Sequence, residues 1–260
     1  MSASSYLPPP QVPDANWALF LDIDGTLLEH AEHPDAVVVG ERLRTLLVEL
    51  ETKLDGALAF ITGRSISVAD RLFKPLRLRA AGLYGLEHRL EMNGPVLAAS
   101  EPADIAALAQ EIEAELGVAN VYVERKGPIL AIHTRAAPHL LPRATQLVEE
   151  ALKHLPKGYR VLAGNAGVEL MPLQAAKGAA IRRFMDLPAF VGKQPIFLGD
   201  DTSDEPGFDT VNEMGGLSVR IGPPRQTSAR YALSSVDQAL AWLAESTGQK
   251  GDARWSSLSA

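Results

Sequence analysis

The chain has 260 residues, 46% of them hydrophobic and 22% charged, which gives room for one large core or two smaller ones in an ordinary globular protein. Its formal charge of -7 argues against a general nucleic-acid binder, which would need a basic face, but leaves open an anionic substrate held by a local cation. With no cysteine, disulfides, thiolate catalysis and thiolate-bound zinc are excluded, and a cytoplasmic location is expected.

In chain order, the opening residues contain neither a basic nor an apolar signal region, and Pro8 to Pro10 predict a stiff leader over residues 1–16. No apolar stretch approaches the roughly 20 residues of a membrane span, so no membrane partner is expected. Trp17 to Asp22 (WALFLD) is apolar on both faces, as a central parallel strand is. It runs into DIDGT, where Asp22 and Asp24, two residues apart, point the same way. Gly25 permits a tight turn there and Thr26 adds a hydroxyl. Paired hard carboxylates call for a hard cation, and Mg2+ binds through one or two carboxylates plus phosphate oxygens and water. An acidic turn in which one Asp caps the next segment is the plainer alternative.

Glu41 to Glu51 has helical periodicity, with Leu43, Leu46, Leu47 and Leu50 on one face. Ala57 to Ile61 is the next predicted strand, followed at once by TGRS. There the Thr62 hydroxyl and the N–H groups of Gly63 and Arg64 could hold a phosphate oxygen at a helix N-terminus, with Arg64 a planar cation for phosphate or a polar substrate. The same tetrapeptide is also a common cap-and-turn signal. Ala80 to Leu83 is a short third strand.

Residues 89–165 read differently: VYVERK, ILAIHTR and YRVLAG are longer, amphipathic strands, interleaved with helices over Ala103 to Leu116 and Pro138 to Leu155. One-sided alternation predicts an antiparallel sheet with helices on one face, hence a second domain inserted into the first. One continuous doubly wound sheet is the alternative. Lys177, in AAKGAAIRRF, opens a predicted helix, where a cation opposes the helix dipole. An exposed lysine is the ordinary reading; a nearby anion would reverse it. Ile196 to Leu198 feeds GDDTSDE, with four acids within six residues. An acidic helix cap is one reading. However, Asp200 and Asp201 precede the capping residues, so Asp200 is favoured as a metal ligand, with Asp201 and Asp204 orienting bound water and nearby groups. The polar tail, 246–260, is expected to fray. The predicted fold is α/β: a Rossmann-like parallel-sheet core over 17–88 and 166–245, with a smaller α/β domain inserted. Its ligand is expected at the carboxyl ends of the strands.

DxDGT, TGR, Lys-Gly and GDDxxDE, in this order, resemble the haloacid dehalogenase superfamily of phosphoryl-transfer enzymes, and the insert is similar to a C2-type cap. LDIDGTL, ITGR, GLYGLE, ERKGPILAIHTR, GVELMP and GDDTSDE are similar to the signature segments of trehalose-6-phosphate phosphatases, covering most of residues 18–210. The resemblance implies hydrolysis of trehalose 6-phosphate, the last step of trehalose biosynthesis, through a phosphoaspartyl intermediate. It makes Asp22 the nucleophile, Asp24 the general acid/base, and Thr62 and Lys177 the phosphoryl contacts. It implies Mg2+ held by Asp22, the Asp24 carbonyl and Asp200. Glu124, Lys126 and Glu169 would grip sugar hydroxyls in a cap that closes over the sugar. Read alone, Glu124 and Lys126, two apart on a strand, are equally a solvated face with a weak ion pair.

Three positions depart from the family's usual residues: Tyr84 for histidine, Met171 for arginine and Ala176 for a polar residue. Other readings are a phosphatase for another sugar phosphate and a phospho-accepting signalling domain, which also uses Asp, Mg2+, Thr and Lys. A catalytically silent binder of the same fold is a third. Oligomeric state is not legible.

Overall fold

The computed structural model describes residues 15–30, 38–98, 100, 102–116, 120–155, 157–164 and 167–248. The leader up to residue 14 and the tail beyond 248 lie outside the described residues. Two compact units are found: one of residues 1–97 and 176–260, the other Ala98–Ala175.

The larger unit is built on one sheet. In chain order its elements are β1 (Trp17–Leu21), α1 (Glu41–Lys53), β2 (Leu58–Ile61), α2 (Ile66–Phe73), β3 (Arg79–Gly82), β4 (Glu87–Arg89) and β5 (Leu97–Ala98). After the insert, described below, come α5 (Lys177–Met185), β10 (Gln194–Gly199), α6 (Glu205–Glu213), β11 (Leu217–Ile221), β12 (Tyr231–Leu233) and α7 (Val236–Ser246). The strand order is β12-β11-β10-β1-β2-β3-β4-β5, parallel from β12 to β3, with β4 antiparallel to β3. All five residues of β1 are buried, because a central parallel strand covered on both faces leaves no position for a polar side chain. The expected leucine face of α1 is buried in the same core, where Phe20, Phe184 and Phe190 also meet. The chain leaves β1 for β2 on one side and later returns through β10 on the other. The order therefore reverses at β1, the position where open α/β sheets form a crevice beyond their strand ends.

The smaller unit holds α3 (Ala103–Leu116), β6 (Tyr122–Lys126), β7 (Ile129–His133), α4 (Leu141–Leu152), β8 (Tyr159–Gly164) and β9 (Gly167–Pro172). Its four strands pair antiparallel in the order β6-β7-β9-β8. Ile105, Ile112, Ala144 and Val148 from the helices pack with Leu130, Ile132, Val168 and Leu170, so the helices cover one face. Two separate sheets exclude the continuous doubly wound alternative. The unit also starts and ends later than the expected 89–165. Arg89 belongs to β4, which is short but pairs with β3, and β9 is an inner strand of the small sheet.

Candidate active site

The carboxyl end of β1 makes the first part of the site. Asp22 N donates to Leu198 O at 3.0 Å, extending the pairing with β10 by one residue and burying the Asp22 side chain. The chain then turns sharply: Leu27 N and Leu28 N both donate to Ile23 O, at 2.9 and 3.0 Å. Gly25 has φ +73°, and a Cβ there would lie 2.1 Å from Asp200 Oδ2. Only glycine both tolerates that dihedral and lets the carboxylate close onto the turn.

At the centre is Lys177. It is 2% exposed, against the expectation of a solvent lysine, and its Nζ donates to Asp22 Oδ1 at 2.7 Å and Asp204 Oδ1 at 2.6 Å. Burial opposes its charge, but the two carboxylates outweigh burial and raise it above the usual lysine range. Burial drives Asp22 well above the usual carboxylate range, opposed by Lys177 and reinforced by Asp204 and Asp200. Asp204 is raised by burial too, and its Oδ2 accepts from the N–H groups of Asp200 and Asp201, both at 2.9 Å. These bonds correct the sequence reading of Asp201, which does have a capping role. It is the exposed N-cap of the 3-10 turn Thr202–Asp204 and forms a reciprocal capping box with Asp204.

Asp22, Asp200 and Asp204 each place an oxygen within 4.8 Å of the others. Three carboxylates thus face one ammonium, two more acidic groups than cations. Asp200 Oδ1 is buried without a hydrogen-bond partner. An orphaned acceptor in that field fits a hard divalent cation. Asp204, already committed to Lys177 and two backbone donors, fits a brace better than a ligand.

The TGR turn sits at the end of β2. Thr62 is fully buried, and its Oγ1 accepts from Arg64 N at 3.1 Å, so that N–H is already committed within the turn. Arg64 forms a two-pronged ion pair with Asp24, Nε to Oδ2 and Nη2 to Oδ1, both at 2.6 Å. Ser65 caps α2 through Val68 N, and Glu87 Oε2 accepts from Ile66 N at 2.6 Å. Gly63 lies under Tyr84, whose ring would be 2.6 Å from a Cβ at that position. Tyr84 and Leu83 hold positive φ of 56° and 49°, and the tyrosine ring centroid is 5.9 Å from Lys177 Nζ. Two consecutive non-glycine residues in this region signal stored strain, a feature that clusters at functional sites.

In the smaller unit, Glu124, Lys126 and Glu169 share the sheet face opposite the helices, because Glu124 pairs with Ala131 and Ala131 with Glu169. Lys126 Nζ lies 3.0 Å from Glu169 Oε1 and 3.4 Å from Glu124 Oε2. Glu124 Oε2 also meets His133 Nε2 at 2.8 Å. Met171 is fully buried on this face directly opposite Arg160, which donates to Ala175 O at 2.8 Å.

Sequence reading missed the partners that come from far along the chain. His30 Nε2 meets Asp200 Oδ2 at 2.9 Å across 170 positions, and Arg225 donates to the Asp200 carbonyl and to Glu205. Both lie outside any short motif, so no local spacing marks them.

A trehalose-phosphatase family model matches residues 20–237. The chain is 46% identical over 225 residues to a probable trehalose-phosphate phosphatase of Sinorhizobium fredii, covering 86% of this chain and 84% of that protein. It is 38% identical to the trehalose-6-phosphate phosphatase of Escherichia coli, covering 88% and 86%. The fold matches the C-terminal domain of C. albicans trehalose-6-phosphate phosphatase with a TM-score of 0.75 at 21% identity, over 90% of this chain and 93% of that one. The buried Asp–Lys–Asp centre, the two sheets and these matches converge: the chain belongs to the trehalose-phosphatase family, in the haloacid dehalogenase superfamily.

Proposed function

We propose that this protein hydrolyses trehalose 6-phosphate to trehalose and inorganic phosphate. The observation that carries the reading is the buried cluster in which Lys177 bridges Asp22 and Asp204 while Asp200 Oδ1 has no partner. In the first step Asp22 attacks phosphorus in line, and protonated Asp24 gives its proton to the departing sugar oxygen. In the second, Asp24 takes a proton from water, which attacks the phosphoaspartyl group and releases phosphate. Lys177 fixes the Asp22 carboxylate before attack and offsets the charge on the phosphoryl oxygens. Thr62 supports the phosphoryl site. Mg2+, held by Asp22, the Asp24 carbonyl and Asp200, supplies charge neutralisation when bound. Arg64 engages both oxygens of Asp24, so its fork sets the acid's orientation and must loosen for Asp24 to carry a proton. Glu124, Lys126 and Glu169 read the sugar.

Phosphate release from a panel of sugar phosphates, with and without Mg2+, tests the reading beside Asp22→Asn. Preference for trehalose 6-phosphate, lost with EDTA and in Asp22→Asn, supports it. Similar turnover of several hexose phosphates keeps the chemistry and removes the substrate. Stable phosphorylation of Asp22 without turnover favours the signalling alternative.

A further inference from the structure

We infer that His133 is a positioning residue for sugar recognition: it holds the Glu124 carboxylate in the orientation that accepts a sugar hydroxyl, and Tyr122 holds the histidine ring. The inference rests on the reading of Glu124, Lys126 and Glu169 as sugar-binding groups. His133 ends β7, directly opposite Tyr122 of β6, so their side chains and those of Glu124 and Lys126 project from one face. The His133 and Tyr122 rings stack with centroids 5.5 Å apart and an interplanar angle of 20°. From there Nε2 reaches diagonally to Glu124 Oε2 at 2.8 Å.

Distances decide which neighbour fixes Glu124. Lys126 lies 3.4 Å from the same oxygen but 3.0 Å from Glu169, so its nearer hydrogen bond is with Glu169. The short contact to Glu124 comes from His133. Burial works against an ionised Glu124, yet the His133 hydrogen bond and the Lys126 charge pull it below the usual carboxylate range. Both cationic or donor contacts fall on Oε2, which fixes how the carboxylate plane turns. His133 itself remains about a third exposed and is not part of the apolar core of this unit. A purely structural role is therefore a poor account of it. A sugar hydroxyl bonded to a carboxylate gains from one fixed in advance, and that gain falls on binding rather than on phosphoryl transfer.

Steady-state kinetics of the full chain with trehalose 6-phosphate, beside the inhibition constant of inorganic phosphate, test this. His133→Ala should raise KM about tenfold while kcat and the phosphate inhibition constant stay within about twofold, a loss of binding alone. His133→Gln, which keeps an amide donor near the Nε2 position, should recover most of the KM. Tyr122→Leu, which keeps the histidine but frees its ring, should raise KM about threefold by the same argument. An unchanged KM in His133→Ala overturns the inference, as does a loss shared equally by kcat and phosphate inhibition. If His133→Ala does not fold, His133→Gln and Tyr122→Leu decide: wild-type KM in Tyr122→Leu overturns it. A wild-type enzyme that binds phosphate but does not turn over trehalose 6-phosphate overturns the underlying substrate reading, and this role with it.

Discussion

Lys177 opens α5, where a cation opposes the helix dipole, yet its ammonium lies between Asp22 and Asp204 with almost no exposure. The paired carboxylates outweigh a dipole effect of about 1 kcal/mol or less. Lys177→Met should abolish phosphate release and also destabilise the fold, since unpairing buried charge costs about 3–5 kcal/mol. The pH dependence has a definite sign. In the wild type, a lysine raised above its usual range stabilises the fold throughout neutral pH and loses that contribution only in strong alkali. In the variant, the remaining carboxylates favour their protonated forms, so stability falls as pH rises through their raised range. Urea unfolding at pH 5 and pH 8 should show the larger deficit at pH 8; an equal deficit would refute the electrostatic account. Arg64 is a second case. Lysine at that position keeps the charge but loses the planar fork on Asp24. Arg64→Lys should lower kcat about tenfold, equivalent to about 1.4 kcal/mol, with KM little changed. Wild-type kcat would show that the fork has no part in the chemistry.

The elements deliver these side chains to one edge of the sheet. β1, β2 and β10 were legible because an unbroken apolar run followed by a polar, glycine-containing turn fits a parallel strand better than other short elements. The insert's limits were not legible. β4 is three residues long, too short to show periodicity, and only its antiparallel pairing with the nearby β3 assigns it to the larger sheet. Asp201 was misread for a related reason. Whether an acid next to a turn caps it depends on where the turn starts, and the 3-10 segment begins one residue after Asp201. Glu87, visible in GLYGLE but given no role there, joins two elements by accepting from the first N–H of α2. That helix also has its own Ser65 cap. Ser65→Ala should cost about 1 kcal/mol, the usual value of a lost N-cap. Glu87→Ala should cost about 1–3 kcal/mol because it strands a part-buried N–H beside the TGR turn. Denaturant midpoints at constant slope would check both, and a smaller effect for Glu87 than for Ser65 would contradict this ordering.

At the scale of the whole molecule, the charges proposed to act in catalysis and those proposed to read the sugar belong to different compact units. Asp22, Lys177, Asp200 and Asp204 lie in the larger unit, and Glu124, Lys126, His133 and Glu169 in the smaller. The division makes the proposed metal binding separable from the rest of the molecule. Mg2+ that binds only the folded larger unit stabilises that unit by mass action, by about 1.4 kcal/mol at ten times Kd, and so raises its melting temperature by a few degrees. Tryptophan reports on this unit selectively. Of the three tryptophans none falls in the smaller unit; Trp17 and Trp242 belong to the larger one with rings 6.0 Å apart, and Trp255 lies outside the described residues. The tyrosines of the smaller unit, Tyr122 and Tyr159, give no tryptophan signal. Tryptophan-detected melting should therefore shift upward with millimolar Mg2+ and should not shift in Asp200→Asn, which removes one negative charge from the cluster. Glu169→Gln alters only the smaller unit, so it should keep the full shift. A wild-type midpoint indifferent to Mg2+ would mean that the two carboxylates in excess around Lys177 are balanced by protons rather than by a metal ion, and a shift that survives Asp200→Asn would mean that Asp200 is not the ligand.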